Sequence, residues 1–213
     1  MATPWRDEVK SRKQLSVFPT RALTSGSWAR VFEKALAEFN SLSHTLKLGV
    51  TVTRSKTAPD PDGEGGADVQ FGVANNDASF VFQGQTFNPK VSGKSLIGHT
   101  SIMSIAFPKV PPVVYKSFIF VPATPMASFN KRVVGDPVKL VMAVHELVHC
   151  CGLDEADHSP PGDGDILFGF PGLRTGNTPS DDRLEVSQGG VTKLMPPIFM
   201  TARTQLLIQK NWQ

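Results

Sequence analysis

The residues of this chain that are best suited to chemistry lie in one short stretch, from position 145 to position 152. His145 and His149 are four residues apart, and Glu146 directly follows the first histidine. Residues at i and i+4 lie on the same side of a helix, so both imidazoles can reach one cation. Glu146 can then accept a proton from a water molecule that the cation activates. The spacing predicts a metal-dependent hydrolase.

The segment that carries these histidines has the pattern of a buried helix. It is apolar on nearly every side, through Val138, Leu140, Val141, Ala143, Val144, Leu147 and Val148. Two unpaired imidazoles in such a helix would be costly to bury, and a bound metal removes that cost. Gly152 can take the left-handed backbone conformation that ends a helix and turns the chain back. A further ligand is therefore expected soon after Gly152.

This stretch resembles a known zinc motif. The metzincin clan of zinc endopeptidases has the motif His-Glu-x-x-His-x-x-Gly-x-x-His, or Asp in the last place, and a methionine turn further along the chain. The matching residues are His145, Glu146, His149 and Gly152, and Leu194-Met195-Pro196 is similar to the turn. The resemblance implies one zinc ion per chain, with Met195 forming the floor of the metal site.

The third zinc ligand is the point at which the chain departs from that motif. Glu155 stands at the motif's third-ligand position, and His158 lies three residues later. Imidazole is a common zinc ligand and a turn can accommodate three extra residues, so we predict that His158 is the third ligand. Glu155 is an alternative because of its spacing, and the more distant Glu185 is another.

The resemblance implies a zinc-dependent endopeptidase that hydrolyses peptide bonds. Zinc with three protein ligands keeps one position open for water and lowers the pKa of that water to roughly 7. Glu146 then acts as the general base and returns the proton to the leaving amine. Some metzincins add a tyrosine just after the methionine turn to stabilise the oxyanion. This chain has Pro196-Pro197 there, and its only tyrosine is Tyr115, so the oxyanion donor is unassigned.

Two other functions agree with the same residues. The first is a zinc amidase, or a toxin or effector domain, acting on a cell-wall or other non-protein amide, because specificity resides in the loops between positions 159 and 190. The second is a catalytically inert, zinc-stabilised binding module. Glu146 favours an enzyme, since a structural site has no use for a base and usually closes the fourth position with a protein ligand.

The hydrophobic pattern predicts both helices and strands, and the resemblance implies a metzincin-like α+β fold: a twisted mixed sheet packed on helices, a zinc-binding active-site helix, a loop-rich lower lobe and a C-terminal helix. A helix is predicted at 27–43, and strands are predicted at 47–53, 67–74, 97–107 and 116–121. The resemblance implies that the last strand lies inside the sheet and that 97–105 form an edge strand along the cleft. A peptide or protein substrate would bind in extended conformation along that edge. His99 in this segment is interpreted as a bystander.

The length of 213 residues, of which 40% are hydrophobic, fits a single metallopeptidase domain. We expect a flexible N-terminal arm at 1–25 and the sheet with its active-site helix at 26–152. The lower lobe, with the methionine turn and the C-terminal helix, is expected at 153–213. Its stretch 159–190 is rich in glycine and proline and is predicted to be irregular.

Composition and termini limit the partners. The net charge is +3, and no dense basic stripe or nucleic-acid motif accompanies it, so no nucleic-acid partner is expected. No apolar run is long enough to span a bilayer, and the N-terminus lacks the apolar core of a secretory signal. The chain is predicted to be a monomer without a membrane partner, either cytoplasmic or exported by a route without an N-terminal signal peptide. The adjacent Cys150 and Cys151 are interpreted as reduced packing residues.

Overall fold

The computed structural model describes residues 2–62, 65–108, 110–168 and 172–213. The α-helices are α1 (Asp7–Arg12), α2 (Arg21–Ser25), α3 (Ala29–Leu46), α4 (Asp136–His149) and α5 (Ala202–Trp212). Two 3-10 helices are η1 (Glu155–Asp157) and η2 (Pro179–Asp181). The strands are β1 (Gln14–Pro19), β2 (Thr51–Arg54), β3 (Val69–Ala74), β4 (Phe80–Phe82), β5 (Gln85–Phe87), β6 (His99–Phe107), β7 (Val110–Pro122), β8 (Gly172–Arg174), β9 (Arg183–Gln188) and β10 (Val191–Met195).

The main sheet is mixed and five-stranded, in the order β2-β1-β3-β7-β6. Four of its strands are parallel, and β6 pairs antiparallel with β7 at one edge. The predicted α+β class, the four predicted strands and the predicted long helix at 27–43 are confirmed in this arrangement. The interior position of β7 and the edge position of β6 are also as expected. In the part of the chain that the structure describes, β6 therefore ends the sheet on the side that contacts α4.

Alternate residues of β7 point to opposite faces of this sheet, as the pleat requires. Ile119 and Val121 face the main core, which α3 and α4 cover. Phe118 and Phe120 face the other side, where the β4–β5 hairpin packs. There Phe80 stacks on Phe118 with ring centroids 4.0 Å apart. The sheet is thus covered on both faces, with α4 packed against one of them.

The expectation of a flexible N-terminal arm is wrong for residues 2–25. Strand β1 lies between β2 and β3, and α1 precedes it. Leu15 and Val17 are buried in alternation with the less buried Ser16 and Phe18, which is the period of a strand. The basic residues in and around α1 suggested a solvent-exposed segment. The period-two apolar pattern of β1 nevertheless specifies a strand.

The lower lobe also contains more regular structure than predicted for 159–190. Strands β8, β9 and β10 form a three-stranded antiparallel sheet. Gly189 and Gly190 join β9 to β10, and both have positive φ, as tight hairpin turns require. The buried Leu184 and Val186 alternate with more exposed neighbours on β9. That short alternation and the Gly-Gly pair were the signals of a hairpin.

The C-terminal helix α5 is confirmed at Ala202–Trp212, and Cys150 and Cys151 are buried free thiols. Within the part of the chain that the structure describes, no helix has both the length and the apolar character needed to cross a membrane.

Candidate metal centre and active site

Three histidines converge on one point beside helix α4. The distance between the Nε2 atoms of His145 and His149 is 3.1 Å, and His158 Nε2 lies 3.2 Å from His149 Nε2 and 3.3 Å from His145 Nε2. The first two residues project from α4, and the third returns from the chain that follows η1. The structure thus brings together the three predicted metal ligands, and their nitrogens lie close enough to bind one metal ion.

A backbone carbonyl fixes the orientation of each ring. His145 Nδ1 lies 2.8 Å from the carbonyl oxygen of Ile166, and His149 Nδ1 lies 2.8 Å from that of Leu153. His158 Nδ1 lies 2.9 Å from the carbonyl oxygen of Glu155. A carbonyl can only accept a hydrogen bond, so in each ring Nδ1 carries the proton. The three Nε2 atoms therefore point bare lone pairs at one another when the rings are neutral.

Burial keeps the two helix histidines neutral. It lowers the pKa of His145 and the pKa of His149 to about 4 each. Three acceptors in mutual contact without a donor repel one another, and a cation at their centre removes that conflict. Tetrahedral zinc at about 2.0–2.1 Å from three nitrogens separates them by about 3.3–3.4 Å. The observed 3.1–3.3 Å is close to that spacing, so the donor set fits a metal ion.

The turn after α4 explains how three extra residues fit before the third ligand. Gly152 ends the helix region with φ of +93°, and a Cβ there would lie only 2.1 Å from the carbonyl oxygen of Thr3. The next residues form η1, in which Asp154 accepts a hydrogen bond from Ala156 N and Asp157 accepts one from Asp154 N. This capped turn takes up the extra length and returns His158 to the other two rings.

The two alternative third ligands lie elsewhere. The Glu155 side chain is 95% exposed, and its carboxylate lies 3.4 Å from Nδ1 of His158, on the side of the ring away from Nε2. Glu185 lies on β9 with its carboxylate 3.9 Å from Arg174. Among the described residues, the histidine trio is the one group of three possible ligands whose donor atoms lie close enough to share a metal ion.

We expect His158→Ala to weaken metal binding by more than the roughly 10–100-fold that loss of a supporting hydrogen bond usually causes. Glu155→Ala and Glu185→Ala should leave the metal dissociation constant close to that of the parent, because neither carboxylate faces the trio. Zinc titration against a competing chelator measures all three variants. Loss of metal from only one of the glutamate variants would instead identify that carboxylate as the ligand.

Glu146 lies beside the trio, with its side chain buried against the edge strand. Its Oε2 accepts a hydrogen bond of 2.6 Å from the hydroxyl of Thr100 on β6. Burial raises the pKa of Glu146, and the neighbouring His149 and the Thr100 hydroxyl oppose that rise. A carboxyl group with a raised pKa is closer to the range in which a general base is most effective. The residue predicted to be the base is therefore held in a defined position.

Gly98 leaves the space that Glu146 occupies. A Cβ at position 98 would lie 2.5 Å from Glu146 Oε1, which is shorter than any tolerable contact. We expect Gly98→Ala to displace the carboxylate, so that activity falls by about 10-fold or more while bound metal is retained. Gly65→Ala is the matched control, since a Cβ there meets Asp60 Oδ2 at an ordinary 3.5 Å. Rates and metal content measured together test this, and an alanine variant with parental rates would contradict it.

A cavity of about 380 Å³ opens beside the histidines and Glu146. Its wall is largely apolar, and the apolar part includes Leu96, Ile102, Val141, Ile166, Phe168 and Leu184. Strand β6 forms one rim, where the exposed His99 contacts the Ser101 hydroxyl at 3.0 Å. The cavity, the trio and Glu146 thus form one continuous site.

Met195 is completely buried at the end of β10, in the same core cluster as Leu147 and Val148 of α4. The peptide bonds Met195–Pro196 and Pro196–Pro197 are both cis. Strand β10 contacts α4 directly. The segment predicted to form the methionine turn therefore packs against α4, the helix that carries His145 and His149.

No protein-family model matches this chain, and a search of curated proteins finds no significant match.

Proposed function

We propose that this chain is a zinc-dependent endopeptidase of metzincin-like design, with one zinc ion bound by His145, His149 and His158. The observation that carries this proposal is the convergence of three bare Nε2 lone pairs beside a buried glutamate, at the mouth of an open cavity. A purely structural metal site would have no need of either the glutamate or the cavity.

The choice of zinc follows from the ligands. Three neutral imidazoles suit zinc, and a site with three protein ligands leaves one coordination position for water or substrate. When bound, zinc supplies a Lewis acid that polarises the scissile carbonyl and makes nearby water more acidic.

Glu146 moves the proton in this mechanism. Its Oε2 already accepts the hydroxyl hydrogen of Thr100, so Oε1 takes the proton from the attacking water. Glu146 then delivers that proton to the leaving amine. The Thr100 hydrogen bond and the close approach of Gly98 keep the carboxylate from turning away during the exchange.

The edge strand and the cavity favour a peptide as substrate. Among the described residues, strand β6 pairs with β7 alone, so an extended peptide can add to its other edge through backbone hydrogen bonds. Beside that edge, the cavity offers an apolar wall to a substrate side chain.

A panel of substrates tests the proposal. The zinc-loaded chain is incubated with denatured proteins and with peptidoglycan fragments, with and without a chelator, and the products are identified by mass spectrometry. Chelator-sensitive cleavage of peptide bonds in the denatured proteins is the expected result. Cleavage of peptidoglycan alone would indicate a cell-wall amidase, and zinc binding without any cleavage would indicate a binding module.

A further inference from the structure

Asp165 is a completely buried carboxylate that neither the metal site nor the proton transfer uses directly. Its Oδ2 accepts hydrogen bonds from the hydroxyls of Thr204, at 2.6 Å, and Ser159, at 3.3 Å, and also from the hydroxyl of Thr201. Its Oδ1 accepts a 3.3 Å hydrogen bond from the backbone N–H of Leu167. One buried anion therefore joins three segments of the chain: the loop after η1, the cavity wall and helix α5.

Two of those segments support histidines of the trio. Ile166, the residue next to Asp165, provides the carbonyl that accepts the Nδ1–H of His145. Its own N–H donates to the carbonyl of Phe199 at 3.0 Å, so both backbone polar groups of Ile166 are hydrogen-bonded. Ser159, which the carboxylate also binds, directly follows His158. The hydrogen bonds of Asp165 thus reach the supports of two of the three ligands.

Helix α5 completes this connection. Arg203 donates hydrogen bonds to the Asp157 carbonyl at 2.8 Å and to the Ser159 hydroxyl at 3.2 Å, on both sides of His158. Thr204, the next residue of the same helix, donates a hydrogen bond to the Asp165 carboxylate. The side of α5 that faces the site therefore fixes the chain around the third ligand.

We propose that Asp165 is the positioning residue of the metal centre: it fixes the Ile166 carbonyl that orients His145 and the Ser159 turn that presents His158, and it couples both to helix α5. This inference depends on the proposal that the histidine trio binds a metal. A group of this kind raises metal affinity without touching the ion.

The test measures zinc affinity by competition with a chromophoric chelator, together with the visible absorption spectrum of the cobalt(II)-loaded protein. Asp165→Asn keeps the size of the side chain and removes its charge and part of its acceptor capacity. We expect the zinc dissociation constant to rise by about 10–100-fold and the cobalt spectrum to change.

Asp68→Asn is the matched control. Asp68 is also buried and accepts hydrogen bonds from the Ser16 hydroxyl at 2.7 Å and from Arg12 at 3.0 Å, but none of its partners supports a histidine of the trio. Its loss should lower thermal stability while the zinc dissociation constant stays within about threefold of the parent. Equal weakening in both variants would overturn the proposal, because it would reduce the effect to general destabilisation.

A milder pair of variants covers the case in which Asp165→Asn does not fold. Thr204→Val removes one hydroxyl from the carboxylate with little change in shape, and Thr204→Ser restores that hydroxyl. We expect weaker zinc binding in the valine variant and recovery in the serine variant. If either Asp165→Asn or Thr204→Val binds zinc with the affinity of the parent, the role of Asp165 is overturned and the metal site is not. If the parent chain itself binds no zinc, the metal site is overturned as well.

Discussion

Glu146→Gln is expected to lower turnover by about two to four orders of magnitude while leaving metal content and fold unchanged. Glutamine keeps the size of the side chain and can still accept the Thr100 hydrogen bond at its amide oxygen. It cannot take a proton at the position of Oε1, so the attacking water loses its base. Steady-state rates on a substrate identified in the panel, measured beside metal analysis of the same samples, provide the test.

Glu155→Gln is the appropriate control for this variant. Glu155 also lines the cavity, but its side chain is 95% exposed and its carboxylate lies beside Nδ1 of His158, on the side of that ring away from Nε2. Its neutralisation should change the rate only slightly. If Glu146→Gln retained activity within about tenfold of the parent, another group would have to move the proton.

Much of the fold follows from local patterns in the sequence. The amphipathic pattern at 27–43 predicted α3, and the β-branched segments predicted four strands of the main sheet, although β2 begins later and β7 begins earlier than predicted. Strand β1 escaped detection because its alternation is short and adjoins basic residues, so local composition suggested solvent exposure. Its identity as a strand depends on pairing with β2 and β3, which lie far along the chain. Gln14, for example, pairs with Thr51, which is 37 residues later. Pairings of that range leave little local signal.

The site was predictable to the extent that its residues are close in sequence. The i, i+4 spacing placed His145 and His149 together, and the stop at Gly152 predicted a returning ligand. The preference for His158 over Glu155 as third ligand depended on ligand chemistry. The capped turn of η1 shows how the chain brings His158 back to the other two histidines.

The supporting groups could not be predicted in the same way. Thr100 lies 46 residues from Glu146, and Ile166 acts through a backbone carbonyl, which every residue type possesses. Asp165 reaches helix α5 across 39 residues. Such partners are specified by tertiary packing, so residue type and local spacing do not reveal them. A glycine before an edge strand, as at Gly98, was the one local sign of a close approach.

The second large effect is expected for His149→Ala, which should abolish stoichiometric metal binding. His149 is one of three converging donors, and its Nε2 lies 3.1 Å from that of His145 and 3.2 Å from that of His158. Removing it leaves two donors, and the loss of affinity should exceed the roughly 10–100-fold seen when only a supporting group is removed. The His149 ring also donates a hydrogen bond to the carbonyl of Leu153, so the substitution removes that hydrogen bond at the end of the helix.

His44→Ala provides the control for loss of a histidine as such, because His44 is exposed on α3 and far along the chain from the trio. That variant should bind one zinc per chain with the affinity of the parent. Metal analysis after exhaustive dialysis, and chelator competition for the dissociation constant, distinguish the two variants. Retention of a full equivalent of zinc by His149→Ala would remove the basis for a three-histidine centre. Loss of metal confined to that variant and its partners His145→Ala and His158→Ala is the pattern that a shared ion at the three Nε2 atoms requires.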